Sequence, residues 1–504
     1  MKYIQNSAGR RPSLPPILAV LSLLACLPAG DWTTWGRTPD RNPVSDETNL
    51  PSSFHTAFSS NTGYFEAGAS RNVKWAAYTG YLSYGTPVVS EGRLLVGTTR
   101  YVNIPKYQGD RGSLLCFDES SGRLLWHLSI PRIGASNTFL SEISLGICSS
   151  PTIESGRAYF AGYNAEVFCV DMKGLADGND GPFTNEAELC GGGAPTALDA
   201  KDGDILWRFD LEKSTGCKPH DGYSSSPLLV GELLFVNTGI GLTREHLKPS
   251  PWSNVPSLIA LDKKTGALVG QDGENIGPRI PHGTWCTPAL GVISGEAQVL
   301  FGGGDGVLYA FDPKPAPGSP ALLKKLWSFN LNAWRGAGAK PSEIIASPVA
   351  VGNRVYAATG EDWSHRNRPG ILVCLEPKGR GDLTAAGPVW AYTNCSQSVS
   401  TAAIQGGLLY FADLGGKVHC LDAQTGAPQW VYDTGAAIWQ TTLVADGKVF
   451  VGNKAGRFYI FAQGRTLNLL SQAGMRKELT GMPIAANRSL YVPTYGIVYA
   501  ISNR

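Results

Sequence analysis

CFDESSGRLLWHL at residues 116–128, ALDAKDGDILWRF at 197–209 and CLDAQTGAPQWVY at 420–432 share one frame: Asp, three residues, Gly, three residues, Trp. ALDKKTGALVGQD at 260–272 repeats it with Gly270 in place of the Trp. AFDPKPAPGSPALLKKLWSF reaches Trp327 and CLEPKGRGDLTAAGPVWAY reaches Trp390 through insertions, while IFAQGRTLNLL around Phe461 lacks the indole. The pattern reads as strand, tight turn, strand. The apolar pair before Asp ends one strand, Asp bonds its own backbone in the turn, Gly accepts a positive φ, and Leu-Trp opens the partner strand.

Upstream of these frames a second unit recurs: a small hydroxyl-bearing residue or Ala before Pro, a polar turn, then an alternating strand. YGTPVVSEGRLLVG, CSSPTIESGRAYFAG, SSSPLLVGELLFVN, WCTPALGVISGEAQVLFGG and IASPVAVGNRVYAATG are five copies, and STAAIQGGLLYFAD, QTTLVADGKVFVG and TGMPIAANRSLYVP are three more. Eight units of four short antiparallel strands predict an all-β, eight-bladed β-propeller, because one such unit cannot bury its own faces and must stack on its neighbours. The last unit stops at YAISNR without its Trp strand, and Val73-Lys74-Trp75 near the start has no unit of its own. This N-terminal strand is therefore expected to complete the final blade and close the ring, removing the exposed edges. On this reading Trp126, Trp207, Trp327, Trp390 and Trp430 pack between blades. Cys116, Cys169, Cys374 and Cys420 share one core position, His127 is a surface strand residue, and His419 has no role that requires His.

Composition agrees. Gly contributes 61 and Pro 33 of 504 residues, and only 17% are charged. With 43 basic against 41 acidic side chains, the net +2 leaves no electrostatic footprint for nucleic acid, so no such partner is expected. Lys2, Arg10 and Arg11 precede an apolar run from Ile17 to Leu27, too short to span a bilayer but suited to a signal peptide. The chain is thus read as a signal peptide at 1–30 and a single propeller domain at 31–504, exported to the periplasm or cell envelope, where disulfides can form. Leu23-Leu24-Ala25-Cys26 resembles a bacterial lipobox, which makes Cys26 a candidate lipidation site and the only expected membrane attachment; cleavage near Ala29 or Gly30 is the alternative.

The Asp-x3-Gly-x3-Trp frame resembles the repeat of quinoprotein-type, PQQ-binding-like β-propellers. DWTTWGRTPDRNPVSDETNLP, KGLADGNDGPFTNE, GENIGPRIPHGTWCTPA and GEDWSHRNRPGILVCLEP are similar to stretches of exported propeller-repeat proteins of planctomycete-like bacteria. The resemblance implies the propeller fold but not one activity, since the motif packs blades in non-enzymatic members too, among them the propeller lipoprotein of the outer-membrane barrel-assembly machinery. It implies two functions: a binding or scaffold protein at the cell envelope with a protein or polymer partner, or a PQQ-dependent oxidoreductase of the alcohol or sugar dehydrogenase type. The second would need pyrroloquinoline quinone and calcium as cofactors, a carboxylate base and, in the family pattern, a pair of adjacent cysteines. The sequence has no Cys-Cys dipeptide, no Cys-x-x-Cys-His haem site, no Gly-x-Ser-x-Gly elbow, no P-loop and no His-Glu-x-x-His.

Long loops of the middle blades carry the remaining candidates for ligand binding: His220 and Asp221 before SSSP, Glu274 and His282 before TWCTP, Asp305 in GGGDG, and Glu361, Asp362 and His365 in the fifth blade. His and carboxylate groups suit metal binding or acid–base work. His220 and His282 occupy the same loop in neighbouring blades and are expected to converge at one channel mouth, on exposed loops whose substitution hardly affects stability. A calcium loop is read in DGNDGPFTNEAE, with oxygens from Asp177, Asn179, Asn185 and Glu188; an acidic turn bonded to its own backbone is the alternative. Cys190 and Cys217 flank the strand pair ending the second blade and are a candidate disulfide.

Overall fold

Each recurring unit folds into four strands running outward from a central axis. In blade 1 they are Val88–Ser90, Arg93–Thr99, Arg111–Asp118 and Leu124–Pro131, paired antiparallel in that order. The computed structural model describes residues 30–99, 104, 106–107, 109–132, 145–220, 222–242, 255–316, 318, 320–361 and 368–503. Eight such sheets form the ring, with inner strands beginning at Val88, Thr152, Leu228, Ala289, Val349, Ala403, Leu443 and Ile484. Middle strands are buried on both faces, as in Ser489–Thr494, where all residues are buried. Neighbouring blades cover both sides, so these strands do not alternate as a half-exposed sheet would.

The ring closes as the sequence implies. Val73–Tyr78 pairs antiparallel with Ile497–Ile501, Tyr78 opposite Ile497 and Trp75 opposite Ala500, and so forms the outer strand of blade 8. Residues distant in the chain thereby join one sheet and leave no open gap in the ring.

Two belts hold the blades together. The outer belt explains the repeat frame: Trp75, Trp126, Trp207 and Trp390 lie against Gly122, Gly174, Gly266 and Gly426 of the next blade, and each donates Nε1–H to a carbonyl there. Trp75 bonds Glu119 O at 3.0 Å, Trp126 bonds Met172 O at 2.9 Å, Trp207 bonds Lys263 O at 3.1 Å and Trp430 bonds Gly464 O at 3.0 Å. Gly122 has φ +70°, and a Cβ there would stand 2.6 Å from Cδ2 of Trp75. Trp327 departs by donating to Gln298 Oε1 at 2.7 Å. Gly270 replaces a Trp because Ala321–Leu322, from the insertion in blade 4, pairs alongside Leu268–Gln271 and sets Leu323 over the site.

The inner belt explains the hydroxyl before Pro. The backbone N–H of that position in one blade donates to the hydroxyl of the next: Thr86 to Ser150 at 2.9 Å, Ser150 to Ser226 at 3.0 Å, and Ser226 to Thr287 at 3.3 Å. It continues from Ser347 to Thr401 at 2.9 Å and Thr401 to Thr441 at 3.0 Å, and Met482 N–H returns to Thr86 at 3.0 Å. Buried N–H groups at the axis need acceptors, and the hydroxyls supply them.

Inside this belt residues 31–47 run past all eight blades. Trp32 bridges Val89, Thr33 O accepts from Ile153 N, Pro39 O from Leu290 N, and Asp40 O from Ala350 N. Asn42 bonds Ile404, Val44–Ser45 pairs parallel with the inner strand of blade 7, and Ser45 Oγ donates to Ala485 O. Arg41 is fully buried and donates to Pro288 O at 2.8 Å, Thr34 Oγ1 at 2.7 Å, Trp35 O at 2.7 Å and Pro227 O at 3.1 Å. Burial pushes its pKa down to about 9, opposed by Asp40, so it stays charged at neutral pH.

Blade 2 differs from the sequence reading. Its third strand is Glu166–Asp171, and the ALDAKDG segment is not a strand but the end of an insertion that docks on blade 1. His127 N donates to Lys201 O, Gly203 N to His127 O, and Asp202 bridges His127 in parallel. His127 is consequently buried rather than on the surface.

Candidate functional site

Strands alternate in direction, so the loops entering inner strands and those joining the second and third strands share one face of the ring. His220 and His282 meet there. Their Nε2 atoms are 2.9 Å apart and their rings 4.5 Å apart at 74°, with Trp285 packed on both at 6.0 and 5.2 Å. Both are buried, contrary to the exposed loops expected. The backbone fixes them: His220 N donates to Gly239 O, and Leu242 N to His282 O. A neutral pair in this geometry carries one ring as Nε2–H donor and the other as Nε2 acceptor, with its proton on Nδ1.

The carboxylates of this face lie in separate networks. Asp305 Oδ2 accepts from Arg279 Nη2 at 2.8 Å and Tyr309 OH at 2.7 Å. Burial raises the Asp305 pKa against these partners. Arg279 also donates to the carbonyls of Glu274 and Asn275, and the Glu274 carboxylate pairs with Lys325. Glu361 pairs with Arg368 at 2.6 Å and accepts from Gln397 Nε2 at 2.5 Å. The structure thus joins His220 to His282 and Glu274 to Asp305, through Arg279. Asp221, Asp362, His365 and Cys26 lie outside the described residues.

The loop at 177–188 is organised by its own polar pairs. Asp177 bonds Lys173 at 2.8 Å, Asn179 Nδ2 donates to Glu186 Oε2 at 3.1 Å, and Asn185 precedes the short helix Glu186–Gly191 that carries Glu188. Among the described residues no group of three or more His, Cys, Asp or Glu is placed to hold a metal ion. The Cys190–Cys217 bridge is not formed; both are buried free thiols. Cys190 sits on the helix packed against blade 1 while Cys217 donates to Thr238 O in blade 3, so the intervening strand pair separates them. Burial pushes both thiols up to about 12.

Two polar clusters lay beyond sequence reasoning. His419 Nε2 bonds Asp413 Oδ2 at 3.0 Å and its Nδ1 meets Tyr392 OH at 3.2 Å, with His and Asp fully buried. Asp202 gathers Tyr107 OH at 2.8 Å and Lys106 Nζ at 2.5 Å, beside His127. Burial, partly offset by Asp202, lowers the His127 pKa to about 4. The Asp-to-His spacing in ADLGGKVHC was the one visible signal.

Known proteins share this architecture. The family described as outer membrane protein assembly factor BamB matches residues 187–432 and 342–504. Lupanine 17-hydroxylase [cytochrome c] of Pseudomonas sp is 22% identical over 462 residues, covering 82% of this chain and 60% of that protein. The chain therefore spans less than two thirds of that relative. Quinohemoprotein alcohol dehydrogenase from Comamonas testosteroni superposes with a TM-score of 0.61 at 10% identity, covering 97% of this chain and 83% of that one. BamB from Moraxella catarrhalis gives 0.53 at 14% identity, covering 85% and 99%. The repeat frame, the eight blades and these matches together place the chain in the PQQ-like β-propeller repeat family of the outer membrane protein assembly factor BamB.

Proposed function

We propose that this chain is an exported binding or scaffold protein of the cell envelope, with a protein or polymer partner. The observation that carries the reading is the filled axis. Residues 31–47 touch every blade, and Arg41 saturates the carbonyls around it. The centre of the ring is spent on holding the fold, which leaves the rim and the loop face for a partner. The family match to an outer membrane assembly factor supports the same reading. Among the described residues no helix is long and apolar enough to cross a membrane; a lipid on Cys26 would supply membrane attachment, and cleavage near Ala29 or Gly30 would leave none.

A second reading, quinone-dependent oxidation, is favoured by the likeness to lupanine 17-hydroxylase and quinohemoprotein alcohol dehydrogenase. Among the described residues no group of three or more His, Cys, Asp or Glu is placed to hold its calcium. The buried carboxylates that could serve it are engaged: Asp305 with Arg279, Glu361 with Arg368 and Asp413 with His419. Titrating the purified mature chain with the quinone and calcium, while following quinone absorbance and dye reduction by alcohols and sugars, decides between the readings. The scaffold reading expects no turnover; saturable binding with turnover would replace it by the enzymatic one.

A further inference from the structure

Where the ring closes, a cleft of ≈ 840 Å³ opens on the loop face, built from residues 62–64, 78, 80–82, 84, 454–456, 476–478 and 495–497. Part of its aromatic lining is preorganised. Tyr84 and Tyr495 are joined through their hydroxyls at 2.8 Å, and Tyr84 packs on Trp439 at 5.9 Å. Lys454 Nζ lies 4.6 Å over Trp439 and 5.7 Å over Tyr495. Nearer the solvent stand Tyr64, Tyr81 and Tyr78, exposed by 65%, 62% and 36%. These are the tyrosines most exposed among the described residues, and all three line this one cleft. Tyr64 meets Tyr78 edge-on at 5.9 Å, which fixes the ring orientations.

The charges are one-sided. Lys454, Arg476 and Lys477 line the cleft against the single carboxylate of Glu478, which pairs with Lys454 at 3.0 Å. Arg476 stacks on Phe58 at 4.7 Å and donates to Gly63 O, so its guanidinium is held at the wall. Leu82, Ala455 and Ile497 are the only aliphatic side chains of the lining. Tyr and Arg also serve protein interfaces, but a recessed cleft with an excess of cations and only three aliphatic side chains favours a slender anionic chain over a folded surface. Tyr rings alternating with cations offer flat faces for the C–H side of a pyranose, hydroxyls for its hydroxyls, and positive charge for a ring carboxylate. The size suits a segment of a chain rather than a single small ion.

We propose that this cleft binds an anionic glycan of the uronate type. The inference rests on the binding-protein reading and names the class of its partner. Calorimetry of the purified mature chain with a galacturonate hexamer, with a neutral glucan hexamer as comparator, tests it. The uronate oligomer binds saturably and at least about tenfold more tightly than the neutral one, and the gap narrows as salt rises. Tyr64→Ala with Tyr81→Ala weakens binding about tenfold or more, as does Lys477→Glu, while thermal unfolding shows that these exposed replacements leave the fold intact. Absence of binding to the uronate hexamer, equal affinity for the neutral hexamer, or an affinity unchanged in both variants overturns the proposal. A cross-linked protein partner seated on Tyr81 also overturns it, yet leaves the scaffold reading standing; only quinone turnover removes that reading.

Discussion

Gly122 and Gly92 form a natural pair for measuring what the repeat glycine does. Both belong to turns of blade 1 and both have positive φ, +70° and +71°. A Cβ on Gly92 meets nothing within 4 Å, whereas on Gly122 it stands 2.6 Å from Cδ2 and 2.7 Å from Cε3 of Trp75. Gly92→Ala should therefore cost only the conformational term, about 1–2 kcal/mol. Gly122→Ala adds overpacking against an indole that the Nε1 bond to Glu119 O holds in place, about 1–3 kcal/mol more. The total is about 2–5 kcal/mol. The assay is urea unfolding followed by Trp fluorescence, with a shift in midpoint at constant slope. Trp75→Ala in the Gly122→Ala background should remove the extra term, since the cycle isolates the contact. Equal losses for the two glycines would refute the claim that the glycine exists to receive the Trp of the preceding blade.

Deleting residues 31–79 removes both the axial segment and the closing strand; insoluble protein is expected, and a soluble monomer of unchanged melting temperature would contradict the closure. Burial, then repulsion from Glu186, Asp171 and Asp180, raises the Asp204 pKa to about 6. The folded state holds that proton more tightly, so its contribution is present in acid and lost as pH rises through about 4 to 6. Asp204→Asn should then stabilise the protein near pH 7.5 by about 1 kcal/mol after allowance for screening, and its own stability curve should lack that fall, which the wild-type-minus-variant difference then displays; an unchanged slope in the variant tells against it. His220→Ala should cost about 1–3 kcal/mol because it removes the buried hydrogen bond between the two Nε2 atoms, and adding His282→Ala should cost less than the sum of the single changes, measured by the same unfolding cycle. Under native conditions a thiol reagent should react slowly with all nine described cysteines, which are free; rapid labelling of Cys190 or Cys217 would show that their burial is wrong.

How much of the site was legible depends on how local its cause is. The convergence of His220 and His282 could be anticipated because both occupy the same connecting loop in adjacent blades, and repeat geometry carries equivalent positions to one face. Their burial could not, since it comes from Trp285 and from loops of two blades pressing together. His127 was misplaced for a similar reason. A residue of a blade's outermost strand is normally exposed, but here the insertion of blade 2 returns across Leu124–Pro131 and presents Asp202. The Cys190–Cys217 bridge failed because proximity along the chain says nothing about which side of a strand pair each thiol faces.

What the sequence by itself determined is the blade: Asp and Gly set the turn, apolar runs set strands covered on both faces, and eight repetitions with an orphan strand imply a ring closed by its own N-terminus. These are local or periodic properties, and short-range backbone chemistry decides them. Only the tertiary structure decided what fills the axis and what is left exposed. That the hydroxyl before Pro serves the preceding blade, that Arg41 and residues 31–47 occupy the channel, and that Tyr64, Tyr78 and Tyr81 meet in one cleft all depend on residues up to several hundred positions apart. No periodicity records such contacts, because the closure of the ring, rather than any repeat within it, brings those residues together.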